Sequence, residues 1–226
     1  MVLLKHISIA LSAAVAAVGS ALFIALNYFY RRRIWSPEVE YSMIKEEEEG
    51  GRGKRQVLVL GLDGAGKSSM MQGLTPSDQA KRGGHRRPTR GFNFMSLRAP
   101  TCQLDFLEIG GGEDLRRYWS EYLLKTHVLV YVVDSSDRSR LPLARAELHR
   151  LLKADAQLPV IVLGNKQDKP DALSVSELHA VLSLEEVGGR RLFLLAAQLA
   201  CDSQGRFSQG AAHSLQAFQD LLMQLI

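Results

Sequence analysis

The octapeptide Gly61-Leu62-Asp63-Gly64-Ala65-Gly66-Lys67-Ser68, entered from the apolar run QVLVL (Gln56 to Leu60), permits few backbone paths. A short run of valine and leucine is the form of a buried strand. Gly61, Gly66, Lys67 and Ser68 fit the spacing G-x-x-x-x-G-K-[ST]. Its glycines let successive N–H groups turn inward around phosphate oxygens, and the helix that follows aims the positive end of its dipole at the same charge. On this reading Lys67 reaches the β- and γ-phosphates and the Ser68 hydroxyl ligates Mg²⁺, with Asp63, Gly64, Ala65 and Ser69 completing the contact surface. A glycine turn between strand and helix also arises without this chemistry, so a second motif has to carry the assignment.

Two further apolar runs, VLVYVVDSSD (Val128 to Asp137) and PVIVLGNKQD (Pro159 to Asp168), each end in a polar turn. Strands buried on both faces and separated by helical stretches describe a parallel sheet flanked by helices, and ligands then gather at the strands' carboxyl ends. The second run closes on Asn165-Lys166-Gln167-Asp168, which looks like the guanine-specifying N-K-x-D motif of GTPases. A carboxylate at Asp168 can accept from guanine N1–H and the exocyclic amine, donors that adenine lacks on that edge. Asn165 would brace the loops and the Lys166 stem would lie along the base. A site built for such bonds rejects a base that leaves them unmade. The competing reading is a simple helix-capping turn.

The chain opens differently. From Ile7 to Tyr30 it carries no charge, and Arg31, Arg32 and Arg33 follow at once. A helix of that length would measure roughly 36 Å against a hydrocarbon core of about 30 Å. The triple arginine outweighs Lys5 and the amino terminus and puts the remainder of the chain in the cytosol. A cleaved signal usually has a shorter apolar stretch without a basic stop, and a buried core helix would be apolar on one stripe only. Val2 excludes N-terminal myristoylation. Pro37, the run Glu46 to Glu49, and Gly50, Gly51 and Gly53 read as a flexible tether, its acidic run solvated and without a docking role. The expected organisation is a membrane anchor over 1–33, a linker over 34–54 and a nucleotide-binding domain over 55–226.

Composition fits one globular core: 46% hydrophobic and 23% charged. Cys102 and Cys201 lie in unrelated surroundings, as in a reduced, cytosol-facing domain. The net charge of +4 comes from clustered basic residues and favours an anionic membrane surface over nucleic acid as partner.

Several runs together resemble the ADP-ribosylation factor-like branch of small GTPases: GLDGAGKS, PTRGFN (Pro88 to Asn93), EIGG (Glu108 to Gly111), LRRYW (Leu115 to Trp119), VVDSSDR (Val132 to Arg138) and NKQD. The resemblance covers nearly everything from Gln56 to Ile226. It implies an α/β P-loop fold with a six-stranded, mainly parallel sheet and helices on both faces, preceded here by one transmembrane helix, with Ala211 to Ile226 as the last helix. It implies GTP/GDP and Mg²⁺ as ligands, Thr89 as the switch threonine, Gly111 as a nucleotide-binding residue, and FNFMSLR with CQLDFLEI as a hairpin that slides when the nucleotide changes. An effector would meet Phe92, Leu107 and Tyr122, although Leu107 replaces the usual tryptophan and all three can equally be core packing. The last base-contacting loop is recognisable only by position, at Ala197, Gln198 and Leu199.

Two departures touch the chemistry. The family's D-x-G-G-Q reads Glu108-Ile109-Gly110-Gly111-Gly112, so the Mg²⁺-side carboxylate, acting through water, is one methylene longer. Gly112 stands where a glutamine orients the attacking water, and it has no side chain to do so; Glu113 is a poor substitute. Thr75 to Pro88 is long and basic, with Lys81, Arg82, His85, Arg86 and Arg87, and Arg90 just beyond. It reads as a solvated loop near anionic lipid more readily than as a source of a cis-acting arginine, and His85 lacks metal-ligand neighbours.

The expected function is a membrane-tethered guanine-nucleotide switch with weak intrinsic hydrolysis. The alternatives are a GTPase cycling with an exchange factor and with an activating partner that supplies catalytic groups, or a degenerate scaffold without nucleotide. The endoplasmic reticulum or another endomembrane, or the mitochondrial outer surface, suits the anchor.

Overall fold

The computed structural model describes residues 53–75, 89, 91–199 and 207–226. The predicted span from Ile7 to Tyr30, nearly all of the linker and the basic loop from Pro76 to Pro88 lie outside the described residues. Among the described residues no helix is long and apolar enough to cross a membrane.

Six strands form one sheet in the order β2-β3-β1-β4-β5-β6. They are β1 (Lys54–Leu60), β2 (Phe92–Arg98), β3 (Gln103–Ile109), β4 (Val128–Asp134), β5 (Val160–Asn165) and β6 (Leu192–Ala196). Only the β2–β3 pair is antiparallel; the other four ladders are parallel. The expected mainly parallel sheet is present. Its hairpin turns at Ala99, whose N–H donates to Cys102 O at 2.9 Å. One boundary differs from expectation. Lys54, assigned from sequence to the linker, lies in β1 opposite Gln103, because the ladder to β3 runs two residues ahead of the apolar run that marks the strand.

Period-two alternation divides the core into two layers. Val57, Val59, Val128, Val130 and Val132 face one cluster, with Met70, Met71 and Leu74 of α1 (Lys67–Leu74) and Leu215, Phe218 and Leu222 of α5 (Gln209–Leu225). Leu58, Leu60, Leu129, Tyr131 and Val133 face the other. There they meet Leu148 and Leu151 of α3 (Leu141–Ala154), Leu178 of α4 (Val175–Val181), and Trp119 and Leu123 of a 3-10 helix (Trp119–Lys125). A four-residue α2 (Glu113–Arg116) precedes that 3-10 helix. Sequence reasoning placed α5 at Ala211; it starts at Gln209, where the Ser208 hydroxyl accepts from Ala211 N at 3.1 Å and fixes the first turn.

The parallel strands all point the same way, so the loops after β1, β3, β4, β5 and β6 share one rim of the sheet. Leu148 is fully buried between α3 and the sheet. Leu148→Ala is expected to lower unfolding free energy in urea by about 2–5 kcal/mol, through lost burial plus the cavity left behind.

Candidate functional site

On that rim the phosphate-type loop is tied to its neighbours by side chains from distant parts of the chain. Asn165, buried at the end of β5, donates from Nδ2 to Ala65 O at 2.8 Å and accepts on Oδ1 from Leu199 N at 2.9 Å. One amide thus holds the loop after β1 and the loop after β6 together, the bracing role read from sequence. Gly66 has φ 106°, and a Cβ there would lie 2.1 Å from Asn165 Nδ2, so only glycine admits this contact.

Lys67 is buried, and its ammonium donates to Gly61 O (2.8 Å) and Leu62 O (3.0 Å). Burial pulls its pKa down to about 8, although the carboxylates of Glu108 and Asp63 push it up. Asp63 itself meets Arg140 Nη1 at 3.0 Å. Gly64 is exposed and Ser69 buried in the first turn of α1.

The three oxygens predicted around Mg²⁺ come together. Ser68 Oγ donates to Glu108 Oε1 at 2.7 Å and lies 3.1 Å from Thr89 Oγ1, which is 3.3 Å from the same Oε1. Glu108 is almost fully buried, and its second oxygen accepts from Asn93 Nδ2 at 2.7 Å. Hydroxyl and carboxylate oxygens are the donors a hard divalent cation takes, and two hydroxyls with one carboxylate leave room for phosphate and water. Among the described residues no group of three His, Cys, Asp or Glu side chains forms a metal cage. Asn93 is a site residue that sequence reasoning missed; its signal is the hairpin register, which sets Asn93 directly opposite Glu108.

The loop after β3 is pinned at successive carbonyls. Trp119 Nε1 donates to Gly110 O at 3.2 Å, and Arg116 Nη1 donates to Gly111 O at 3.1 Å while its Nε pairs with Glu147 of α3. A Cβ on Gly111 would stand 2.2 Å from Asp63 N, so this loop lies against the phosphate-type loop. Gly112 follows with φ −63° and ψ 155°, open to any residue, and Glu113 begins α2 with an exposed side chain.

At the far end of the rim Lys166 adopts φ 65° and its Nζ reaches Asp134 Oδ2 at 2.5 Å. Asp168 is exposed on the same turn, which Gln167 anchors through Ser135 Oγ and Leu173 O, both at 2.9 Å. The Gln198 side chain is turned against Gly210 at the start of α5; in that loop the backbone groups of Ala197 and Leu199 make the cross-links, to Gln167 and Asn165. The predicted effector trio divides. Phe92 is 46% exposed, whereas Leu107 and Tyr122 are half-buried against the core; Phe94, which sequence reasoning did not single out, is 49% exposed on the same face of the hairpin.

A model of the ADP-ribosylation factor family matches residues 41–212. Mouse ADP-ribosylation factor-like protein 10 is 39% identical over 239 aligned positions, covering 96% of both chains. Human ADP-ribosylation factor-like protein 9 is 40% identical over 173 positions, covering 76% of this chain and 88% of its own. Among solved structures, the Arl6 BBS3 small GTPase of Trypanosoma brucei with bound nucleotide analogue GppNp superposes with a TM-score of 0.60 at 24% identity, over 76% of this chain and 99% of that one. At that identity the likeness is one of fold.

Asp134 carries a pH signature. Burial pushes its carboxyl up, but hydrogen bonds from Lys166 and Ser136 outweigh burial and hold it below its ordinary value of 3.8. The stabilisation is therefore complete above 3.8 and lost as pH falls through the lower folded value. Lys166→Met is expected to reduce the loss of unfolding free energy below about pH 4 in urea titrations.

Proposed function

Because the chain belongs to the ADP-ribosylation factor family, we propose that it is a guanine-nucleotide switch with weak intrinsic hydrolysis, held at a membrane by its N-terminal apolar segment. The observation that carries this reading is the convergence of Ser68, Thr89 and Glu108 beside the phosphate loop. Three separate stretches, each read from sequence as part of one ligand set, meet within hydrogen-bond distance. The nucleotide analogue GppNp bound in the similar fold supports a nucleotide as ligand.

In this mechanism the backbone N–H groups from Asp63 to Ser69 and the N-terminus of α1 receive the phosphates, and Lys67 adds a positive charge shielded from water. Ser68 and Thr89 would hold Mg²⁺ directly and Glu108 through a water, with Asn93 orienting Glu108. When bound, Mg²⁺ would neutralise part of the phosphates' negative charge. Asp168 accepts from the guanine edge while Asn165 keeps its turn in register with the phosphate loop. On this reading Thr89 and Gly111 would sense the γ-phosphate, and Glu108 joins Thr89 to the hairpin that bears Phe92 and Phe94. Those two exposed rings form the centre of an effector surface, with Leu107 and Tyr122 as its floor. An exchange factor would complete the cycle.

Gly112 has no group to orient water, and Glu113 projects into solvent at the start of α2. Hydrolysis then rests on the phosphate contacts alone, and GTP persists. The apolar stretch from Ile7 to Tyr30 with its arginine stop supports a reading in which the domain would face the cytosol from the endoplasmic reticulum, another endomembrane or the mitochondrial outer membrane.

Two measurements on the full-length protein test this reading. Asp168→Ala is expected to reduce the preference for GTP over ATP by about a hundredfold or more in competition binding; an unchanged preference would overturn the base assignment. In single-turnover assays the unaltered protein is expected at or below about 10⁻⁴ s⁻¹, with Gly112→Gln about tenfold faster or more. A β-carbon at this position would meet only the flexible carboxylate of Asp114. Rapid hydrolysis by the unaltered protein would favour a self-sufficient enzyme, and rate recovery only with a cell-derived activator would favour a partner-completed one.

A further inference from the structure

Asp63 is the one carboxylate within the loop from Gly61 to Ser68. A loop that must receive several negative charges at short range is a costly place for another. The structure couples this residue to a cation from elsewhere in the chain. Arg140 Nη1 donates to Asp63 Oδ1 at 3.0 Å and to the Asp63 carbonyl at 3.1 Å. The same guanidinium is aimed from behind, its Nε donating to Asp137 Oδ2 at 2.6 Å, while Arg140 N donates to Asp137 O at 3.1 Å. Ser139 Oγ in turn donates to Asp137 Oδ1 at 2.7 Å. The turn after β4 is thus built to present one arginine, at the head of α3, to the flank of the phosphate loop.

We propose that Arg140 is a positioning residue for nucleotide retention: it neutralises the Asp63 carboxylate and fixes the Asp63 carbonyl, so that a polyphosphate entering the loop meets no unpaired negative charge. The inference rests on the reading of Gly61 to Ser68 as the triphosphate loop. An ion pair of this exposure contributes little to stability by itself. Its consequence lies in what the carboxylate does to an anion when left alone, at a distance where charge still acts: Asp63 already raises the proton affinity of Lys67.

The test follows release of fluorescently labelled GTP from the full-length chain in detergent, with thermal unfolding of each variant alongside. At low ionic strength Arg140→Ala is expected to release nucleotide about fivefold faster than the unaltered protein. The excess should shrink at about 0.5 M salt, where repulsion is screened. Adding Asp63→Asn to Arg140→Ala removes the stranded charge and is expected to bring the rate back to within about twofold. Arg140→Lys keeps the charge on a single nitrogen without the guanidinium fork and should fall between. An unchanged rate in Arg140→Ala overturns the proposal. So does fast release that persists in the double variant and at high salt, which would mark simple loss of packing at the head of α3. If Arg140→Ala unfolds, the proposal stands or falls on Arg140→Lys and its own Asp63→Asn rescue. Failure of the unaltered protein to bind labelled GTP would instead overturn the triphosphate-loop reading, and this proposal with it.

Discussion

One buried amide holds the rim of this molecule together. Asn165 spends its donor on the loop after β1 and its acceptor on the loop after β6, and it is itself the last residue of β5. Three strand ends are thereby referred to a single side chain. Neither partner is exposed to exchange with water, since Ala65 and Leu199 are also buried. A broken contact would strand polar groups at a cost of about 1–3 kcal/mol each. The glycine at position 66 follows from this constraint, since a Cβ there would run into the same amide.

A second junction is Glu108. Its two oxygens gather Ser68, Thr89 and Asn93, so α1, the segment ahead of β2, and the hairpin meet at one carboxylate. The family's shorter aspartate would reach less far. Here Asn93, opposite in the ladder, donates to the outer oxygen at 2.7 Å.

How much of this was legible in the chain depends on the kind of signal involved. The phosphate loop and the base tetrapeptide are contiguous, and their spacing is set by local backbone geometry, so residues 61–68 and 165–168 stand out unaided. The sheet was legible from valine-rich runs whose alternation sends Val57 and Leu58 to opposite layers. The clamp from Arg140 to Asp63 was not, because its partners are 77 residues apart and neither has a periodic neighbour to mark it. The same holds for the indole of Trp119 on Gly110, which sequence reasoning met only as part of a familiar run. Exposure on the hairpin was also beyond reach. Leu107 in β3 and Tyr122 in the 3-10 helix both lose theirs by packing against the same buried cluster, and nothing in either element's own residues announces what will cover it.

The left-handed backbone at Lys166 has a consequence for affinity. A residue with a β-carbon adopts φ 65° at some cost, and here the tether to Asp134 offsets it. That conformation is thus imposed when the chain folds. Any ligand that docks on the adjoining turn finds it already frozen and forfeits little of its binding enthalpy to stilling a restless loop. Entropy lost once, during folding, need not be lost again at each encounter.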